Sequence, residues 1–478
     1  MRLLPLLPVA VSSLLALAAC TAGPDYRAPQ SPANGTAFMR ANDAVSEQAP
    51  AVARWWTQLG DPALDTLEAR ALAADPGLAA AQARVKQARA GLRLERADRL
   101  PKGNASALYV HAQLPGLDLS SSDDSGSSGS DGGDSDSLNF YNLGFDASWE
   151  VDLWGGGRRR VEATRAQLGA AEANRADAQV SLTADVAQAY VALRERQQRL
   201  ALLGAAVDRR RATLTLVEQR RQQGAASAIE VEQQRDEVEQ AQAALLPVIA
   251  ERDAYLNALA TLLGEAPGAL DAMLAASKPI PLPPASVAIG DPAALLARRP
   301  DIRAAERQLA KATAQIGVAQ SARFPRLSFM GLIGIGGTHP GDLLDLDKLA
   351  GLAVPQLSWS FLDFGRSAAR VEQVKDAREE AEANYRQAVL AALRDCEDAL
   401  SHFGAQRQGV ASAGRSRASA QRTAALTQQR LQAGTASQIQ LLDAEIRSLA
   451  AQQAEAQATA AMTMGFIALQ KALGLGWQ

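Results

Sequence analysis

From Tyr141 the odd positions read Tyr141, Leu143, Phe145, Ala147, Trp149, Val151 and Leu153, and the even positions Asn142, Gly144, Asp146, Ser148, Glu150 and Asp152. A period of two predicts a β-strand with one apolar and one polar face. A half-buried soluble sheet satisfies such a pattern, and so does a membrane barrel with lipid outside and a wet lumen inside. The pattern changes at Gly157. From there to Gln223 the chain is rich in Ala, Arg, Gln and Glu, strong helix formers, with no internal proline. Leu182, Val186, Tyr190, Leu193, Leu200, Leu203, Val207, Leu214 and Val217 step along it by threes, fours and sevens, a heptad-type stripe. About 65 helical residues rising ~1.5 Å each make a rod roughly 100 Å long.

This order of elements occurs twice. At a constant offset of 210, Trp149 pairs with Trp359, Arg160-Val161 with Arg370-Val371, Gln219 to Ile229 with Gln429 to Ile439, and Leu263-Gly264 with Leu473-Gly474. Upstream the offset is 224, pairing Leu100-Pro101 with Phe324-Pro325. The first repeat spans 76–264: a helix ended by Pro101, a strand hairpin over about 103–154, and long helices over about 157–264 that turn at Gly224. The second spans 300–474, with its hairpin over about 326–364 and long helices over about 366–474 that turn at Gly434. Residues 20–75 read as an N-terminal segment, 265–299 as a linker and 475–478 as a tail. The first strand of each hairpin alternates weakly, and the glycine-rich run Gly331 to Gly337 fits a strand with a turn. Four strands cannot close a membrane barrel, for which about eight are the minimum, and lipid does not tolerate open sheet edges. Several chains must then share one barrel; these patterns leave two or more open.

The amino terminus fixes the compartment. Arg2 precedes an apolar run ending in Leu17-Ala18-Ala19-Cys20, a short signal peptide over residues 1–19. It resembles a bacterial lipoprotein signal, with Cys20 as the lipidated first residue of the mature chain. Thr21 rather than aspartate follows, which points to the outer membrane. No other stretch offers about 18 uninterrupted apolar residues, so membrane contact must come through the strands.

Composition then removes function classes. The balance of 49 basic against 52 acidic residues leaves no nucleic-acid footprint. His111, His339 and His402 are scattered, so neither a metal cluster nor a catalytic triad is suggested. Cys396 falls within the second heptad stripe and reads as a small buried residue. Ser120 to Ser137 contains only Ser, Asp and Gly, a composition that buries nothing and reads as an acidic surface loop. Arg158-Arg159-Arg160, where strand hands over to helix, reads as a solvated junction near headgroups.

Cys20 to Tyr26, Trp55-Trp56 before Asp61-Pro62, Arg299-Pro300-Asp301-Ile302 and Gln429 to Ala444 together resemble the TolC-type outer membrane efflux proteins, in their lipoprotein, NodT-like branch. The resemblance implies a mixed α/β membrane protein and a homotrimer: one transmembrane β-barrel with four strands per chain, continuous with a long α-helical periplasmic barrel. It implies a passive exit duct of a tripartite pump, partnered by a periplasmic adaptor and an inner-membrane pump of RND type. No cofactor is implied beyond covalent lipid, palmitate included, on Cys20. The tip loops, with Gly224, Ala225 and Ala226 in one and Gly434, Thr435 and Ala436 in the other, would meet the adaptor. Asp443 matches the family's acidic constriction residue, its first-repeat counterpart being Gln233, and Ile439 four residues earlier would add an apolar ring. Gln440 stands where some members carry a second acid, and Ile446 where some carry arginine. A different reading of the same chain is a lipid-anchored helical scaffold of the periplasm without channel activity.

Overall fold

The computed structural model describes residues 21–29, 37–41, 43–113 and 137–477. The signal peptide, Cys20 and all but the last residue of the Ser120 to Ser137 run lie outside them. In chain order the elements begin with β1 (Val45–Ser46), α1 (Pro62–Ala74) and α2 (Pro76–Ala97). The first hairpin, β2 (Lys102–Gln113) and β3 (Ser137–Val151), leads into α3 (Gly156–Gln222), α4 (Ala228–Ala243) and α5 (Leu245–Leu262). Residues 265–299 contain α6 (Asp271–Leu274), β4 (Val287–Ala288) and α7 (Pro292–Arg298). Then follow α8 (Pro300–Ser321), β5 (Arg326–Gly337), β6 (Leu349–Ser358), α9 (Arg366–Gln432) and α10 (Gln438–Ala472). The duplication survives in the lengths: α3 and α9 each run 67 residues, and α2 and α8 each 22.

The repeats differ at one proline. Pro247 stands three residues into α5, where it lacks the N–H that would continue α4, and the helix breaks at Ala244. Gln457 occupies the matching place in the second repeat, and α10 runs unbroken for 35 residues.

The chain forms two compact units. One gathers residues 87–168 and 308–381 with the described part of 1–27. Its centre is a four-stranded antiparallel sheet in the order β2-β3-β5-β6. The register stacks Ala105, Phe145, Ile333 and Gly351 in one row, Ala107, Leu143, Ile335 and Leu349 in the next, and Trp149, Phe329 and Pro355 in a third. That face carries no charge in any row, and its larger side chains, Phe145 and Ile333 among them, are exposed. Aromatics close both ends of it: Tyr109 stacks on Tyr141 at 4.8 Å between centroids, and Trp149 on Phe329 at 6.3 Å. Eight residues separate Tyr141 from Trp149, about 27 Å of strand, which matches the ~25 Å apolar band of an outer membrane barrel. The opposite face carries Lys102, Asn104, Asp146, Ser148, Glu150, Ser328 and Gln356, with Asn104 Nδ2 donating to Asp146 Oδ2 at 3.0 Å. In the second hairpin that face also holds Met330, Leu332, Leu352 and Val354. Gly331 to Gly337, read as a strand with a turn, lies wholly within β5, where its small residues match Tyr141, Gly144 and Ala147 across the pair.

The other unit gathers residues 28–86, 169–307 and 382–478. Here the heptad stripe meets more than a partner helix. Leu182, Thr183, Ala184, Val186, Ala187, Tyr190, Val191, Leu193, Arg194 and Glu195 are all buried, which leaves this stretch of α3 only a narrow wet edge at Asp185 and Gln188. Elements outside the repeat join the same core: Trp55 and Trp56, Leu64 and Leu67 of α1, Leu274 of α6 and Leu295 of α7. Arg194 Nη1 donates to Ala276 O and Gln197 Nε2 to Leu274 O, each at 2.7 Å, which ties two buried polar side chains to the backbone of the 265–299 segment. Tyr190 donates to Asp61 Oδ2 at 2.5 Å, while Asp61 Oδ1 caps α1 by accepting from Ala63 N at 2.9 Å. Burial, then this carboxylate, pushes the Tyr190 phenol up to about 12. The segment 265–299 is therefore a structured clasp, with Val287 of β4 paired in parallel to Val45 of β1.

Candidate functional site

The two helix turns are copies of one design. Gly224 and Gly434 take φ of 74° and 70°, a left-handed conformation that costs an L residue but not glycine. Nothing crowds either Cα, so backbone conformation alone demands the glycine. Ala225 N donates to Arg220 O at 2.8 Å and Gly224 N to Arg221 O at 2.9 Å; Thr435 and Gly434 repeat this to Arg430 and Leu431 at 2.9 and 3.0 Å. These are Schellman turns, which satisfy the last carbonyls of α3 and α9. A capping box then opens each following helix. Ser227 N donates to Glu230 Oε1 at 3.1 Å while Glu230 N donates to Ser227 Oγ at 3.2 Å. Ser437 and Gln440 make the same pair at 2.9 and 3.2 Å. The backbone N–H of Ser227 holds the Glu230 carboxyl below its ordinary range. The signal is present as Ser-x-x-Glu and Ser-x-x-Gln, and it gives Gln440 a structural task.

Ala225, Gly224, Gly434 and Thr435 are exposed, while Ala226 and Ala436 are half-buried. Ile229, the repeat counterpart of Ile439, stands largely exposed at the first turn. On α10, Ile439 and Asp443 are half-buried and one helical turn apart, with Leu441, Leu442 and Ala444 buried beside them. The Asp443 side chain makes no hydrogen bond or ion pair among the described residues. Two residues on, Glu445 engages Arg209 of α3 at 2.5 Å. Arg209 is thus engaged by Glu445, and the Asp443 carboxylate has no partner among the described residues.

Along the first helix hairpin, Arg235 meets Glu218 at 3.0 Å and Arg196 meets Glu251 at 2.5 Å; along the second, Arg417 meets Glu455 at 2.9 Å. Such partly exposed pairs add about 0–1 kcal/mol each and set register more than strength.

A charged cleft of about 610 Å³ is lined by Asp177, Arg299, Asp301, Asp395, Asp398, His402 and Lys471, among others. Burial, then repulsion from Asp301, raises the Asp177 carboxyl. Among the described residues, no three His, Cys, Asp or Glu side chains are placed to hold a metal ion. Cys396 is buried, donates its Sγ hydrogen to Ala472 O at 3.1 Å, and has its thiol pushed up to about 12 by burial, which leaves it unreactive. No described helix is long and apolar enough to cross a membrane.

The reading of Arg158 to Arg160 as a solvated junction needs correction. Arg158 and Arg160 reach solvent, but Arg159 is buried, because it points back into the start of the chain rather than toward headgroups.

Over residues 67–265 and 292–475 the chain matches the outer membrane efflux protein family. The pyoverdine export outer membrane protein OpmQ of Pseudomonas aeruginosa is 35% identical over 434 residues, covering 89% of this chain and 88% of that protein. Outer membrane protein OprJ of the same species is 29% identical over 475 residues, covering 97% and 94%. The solved outer-membrane channel OprN matches with a TM-score of 0.84 at 33% identity, over 96% of this chain and 100% of that one. The open state of the MtrE outer membrane channel of Neisseria gonorrhoeae matches with a TM-score of 0.80 at 26% identity, over 96% and 98%. With both repeats matched and relatives covered nearly end to end, this chain belongs to the outer membrane efflux protein family, as a bacterial outer membrane transport protein and not an enzyme.

Proposed function

We propose that three copies of this chain form one channel, the exit duct of a tripartite efflux pump, which passes solutes outward without covalent chemistry. The carrying observation is the four-stranded sheet, whose outer strands β2 and β6 each have one unpaired edge and whose one face is free of charge. Three such sheets joined edge to edge supply twelve strands, above the minimum of about eight, and leave no edge in lipid. The long helices then line a tunnel reaching into the periplasm. Lipid on Cys20 adds a second hold on the outer membrane.

Relatives of one fold are named for pyoverdine export, toluene efflux and cation efflux. Substrate choice accordingly falls to the inner-membrane pump, of RND type. Reconstituted in planar bilayers, the purified protein is expected to give discrete conductance steps. A purified trimer that opens no conductance, even after its periplasmic end is destabilised, would favour the lipid-anchored scaffold.

The tips are the docking points for the periplasmic adaptor. Their rigid Schellman turns present exposed small residues with little ordering cost. A photo-crosslinker at Ala226 or Ala436 is expected to capture the adaptor in cells. Capture from mid-rod positions alone would place the contact elsewhere.

A further inference from the structure

At the strand-to-helix junction the two repeats differ in two residues. Arg159 corresponds in position to Ala369, and Gly317 of the second repeat corresponds to Arg93 in the first. Both meet one segment, residues 21–25. The Arg159 side chain is only 6% exposed. Its Nε donates to Ala22 O at 3.1 Å, and its Nη2 to Gly23 O at 3.1 Å and Asp25 Oδ1 at 2.8 Å, while Nη1 donates to Glu162 Oε2 at 2.7 Å. From the other side α8 closes in: a Cβ added to Gly317 would lie 2.6 Å from Ala22 O and 2.7 Å from Arg159 Cγ. Only glycine leaves room there. Ala22 N in turn donates to Trp154 O at 3.0 Å. Trp154 stacks on Phe324 at 4.7 Å between centroids and donates its indole N–H to Pro325 O at 2.7 Å. Five residues thus join the end of the first hairpin, the first turn of α3 and α8.

We propose that residues 21–25 are a docked strap rather than the start of a free tether, and that Arg159 and Gly317 form the receptor that fixes the attachment point at residue 20 to this junction. The planar guanidinium, with five N–H donors, matches three acceptors on the strap and one on Glu162 at once. Most of the hold lies in the two backbone carbonyls, since the Asp25 side chain is 86% exposed and its ion pair is screened. The inference rests on reading Cys20 as acylated and deepens it: lipid attached there enters the membrane beside Trp154 and Phe324, at a set position around the barrel.

The test uses the full-length protein in the outer membrane, carrying Ala22→Cys, with modification by a bulky maleimide timed and located by tandem mass spectrometry. Cys396 stays silent, being buried with its thiol pushed up to about 12. Arg159→Ala and Gly317→Val attack the strap from opposite sides, so either variant that still assembles is informative. Each is expected to speed modification at position 22 about tenfold or more by releasing the strap. Rates equal to the parent in the assembled variants would overturn the proposal. The mass of the N-terminal peptide reports acylation in the same sample. Lipid absent throughout removes the reading of Cys20, while the labelling rates still decide the strap.

Discussion

Replacing Arg299 with alanine is expected to destabilise the fold by about 2–3 kcal/mol and to lower the amount of assembled protein in the outer membrane several-fold. Arg299 binds Asp301 through two bonds, Nε to Oδ1 at 3.0 Å and Nη2 to Oδ2 at 2.7 Å. Its Nη1 donates to Ala472 O at 3.0 Å, capping the end of α10, and Nη2 lies 3.6 Å from Asp395. The arginine side chain is 12% exposed, so little water can take over its acceptors. Asp301 is 35% exposed and would recover some hydration, which places the loss below that of a fully buried pair. Pro300 starts α8 immediately after, where a missing N–H costs nothing. The Arg-Pro-Asp sequence is therefore one joint: a cap for one helix, a start for another and a fork between them. Arg299→Lys keeps the charge but not the fork and should recover less than half of the loss. Arg394→Ala, which removes an exposed partner of Asp395, should cost about 0.5 kcal/mol or less. Denaturant or thermal unfolding of the three variants checks this. An Arg299→Ala protein as stable as the Arg394→Ala control would remove the joint from the argument.

Local pattern carried the strands and the turns; distant partners decided the rest. Phe145 and Asp146 fall on opposite faces because successive strand residues must, and one segment suffices to see it. Gly224 and Gly434 announce their turns because few other residues take positive φ without strain. The burial of α3 between Leu182 and Glu195 has another origin. Its second face is covered by residues 38–78 and by the clasp at 265–299, whose apolar positions show no period that names their partner. Arg159 failed for the same reason. In sequence it is the middle of three arginines, and only the return of residues 21–25 to the junction buries it. The capping boxes were legible but went unread, since Ser227 and Ser437 follow glycines that had already explained the turn. Asp443 came from resemblance, and the fold adds that Glu445 engages the neighbouring Arg209 while Asp443 is left unpaired among the described residues.

Asp443→Ala is expected to raise the basal conductance of the assembled channel several-fold and to weaken its block by multivalent cations. In the proposed threefold channel one Asp443 carboxylate per chain would converge near the tunnel axis. Cations that enter would bridge these carboxylates and hold the constriction closed against their mutual repulsion, so removing the carboxylates should both loosen closure and weaken the block. Gln440 is committed to its capping box with Ser437, so on this reading Asp443 would be the acid of the ring on this turn. Ile439, half-buried one turn nearer the tip, would on the same reading add an apolar collar that excludes water when closed. Ile439→Ala should therefore leak as well, but without changing cation block, since it alters packing and not charge. The repeat supplies the control. Gln233 occupies the equivalent place on α4, is exposed, and on this reading faces away from the constriction, so Gln233→Ala should leave both quantities unchanged. Single-channel recordings of the three variants separate the contributions: charge from the block, packing from the leak. If Asp443→Ala and Ile439→Ala both conduct and block like the parent, the constriction lies at another level of the tunnel, and the unpaired carboxylate on α10 must serve a contact with a neighbouring chain or with the adaptor.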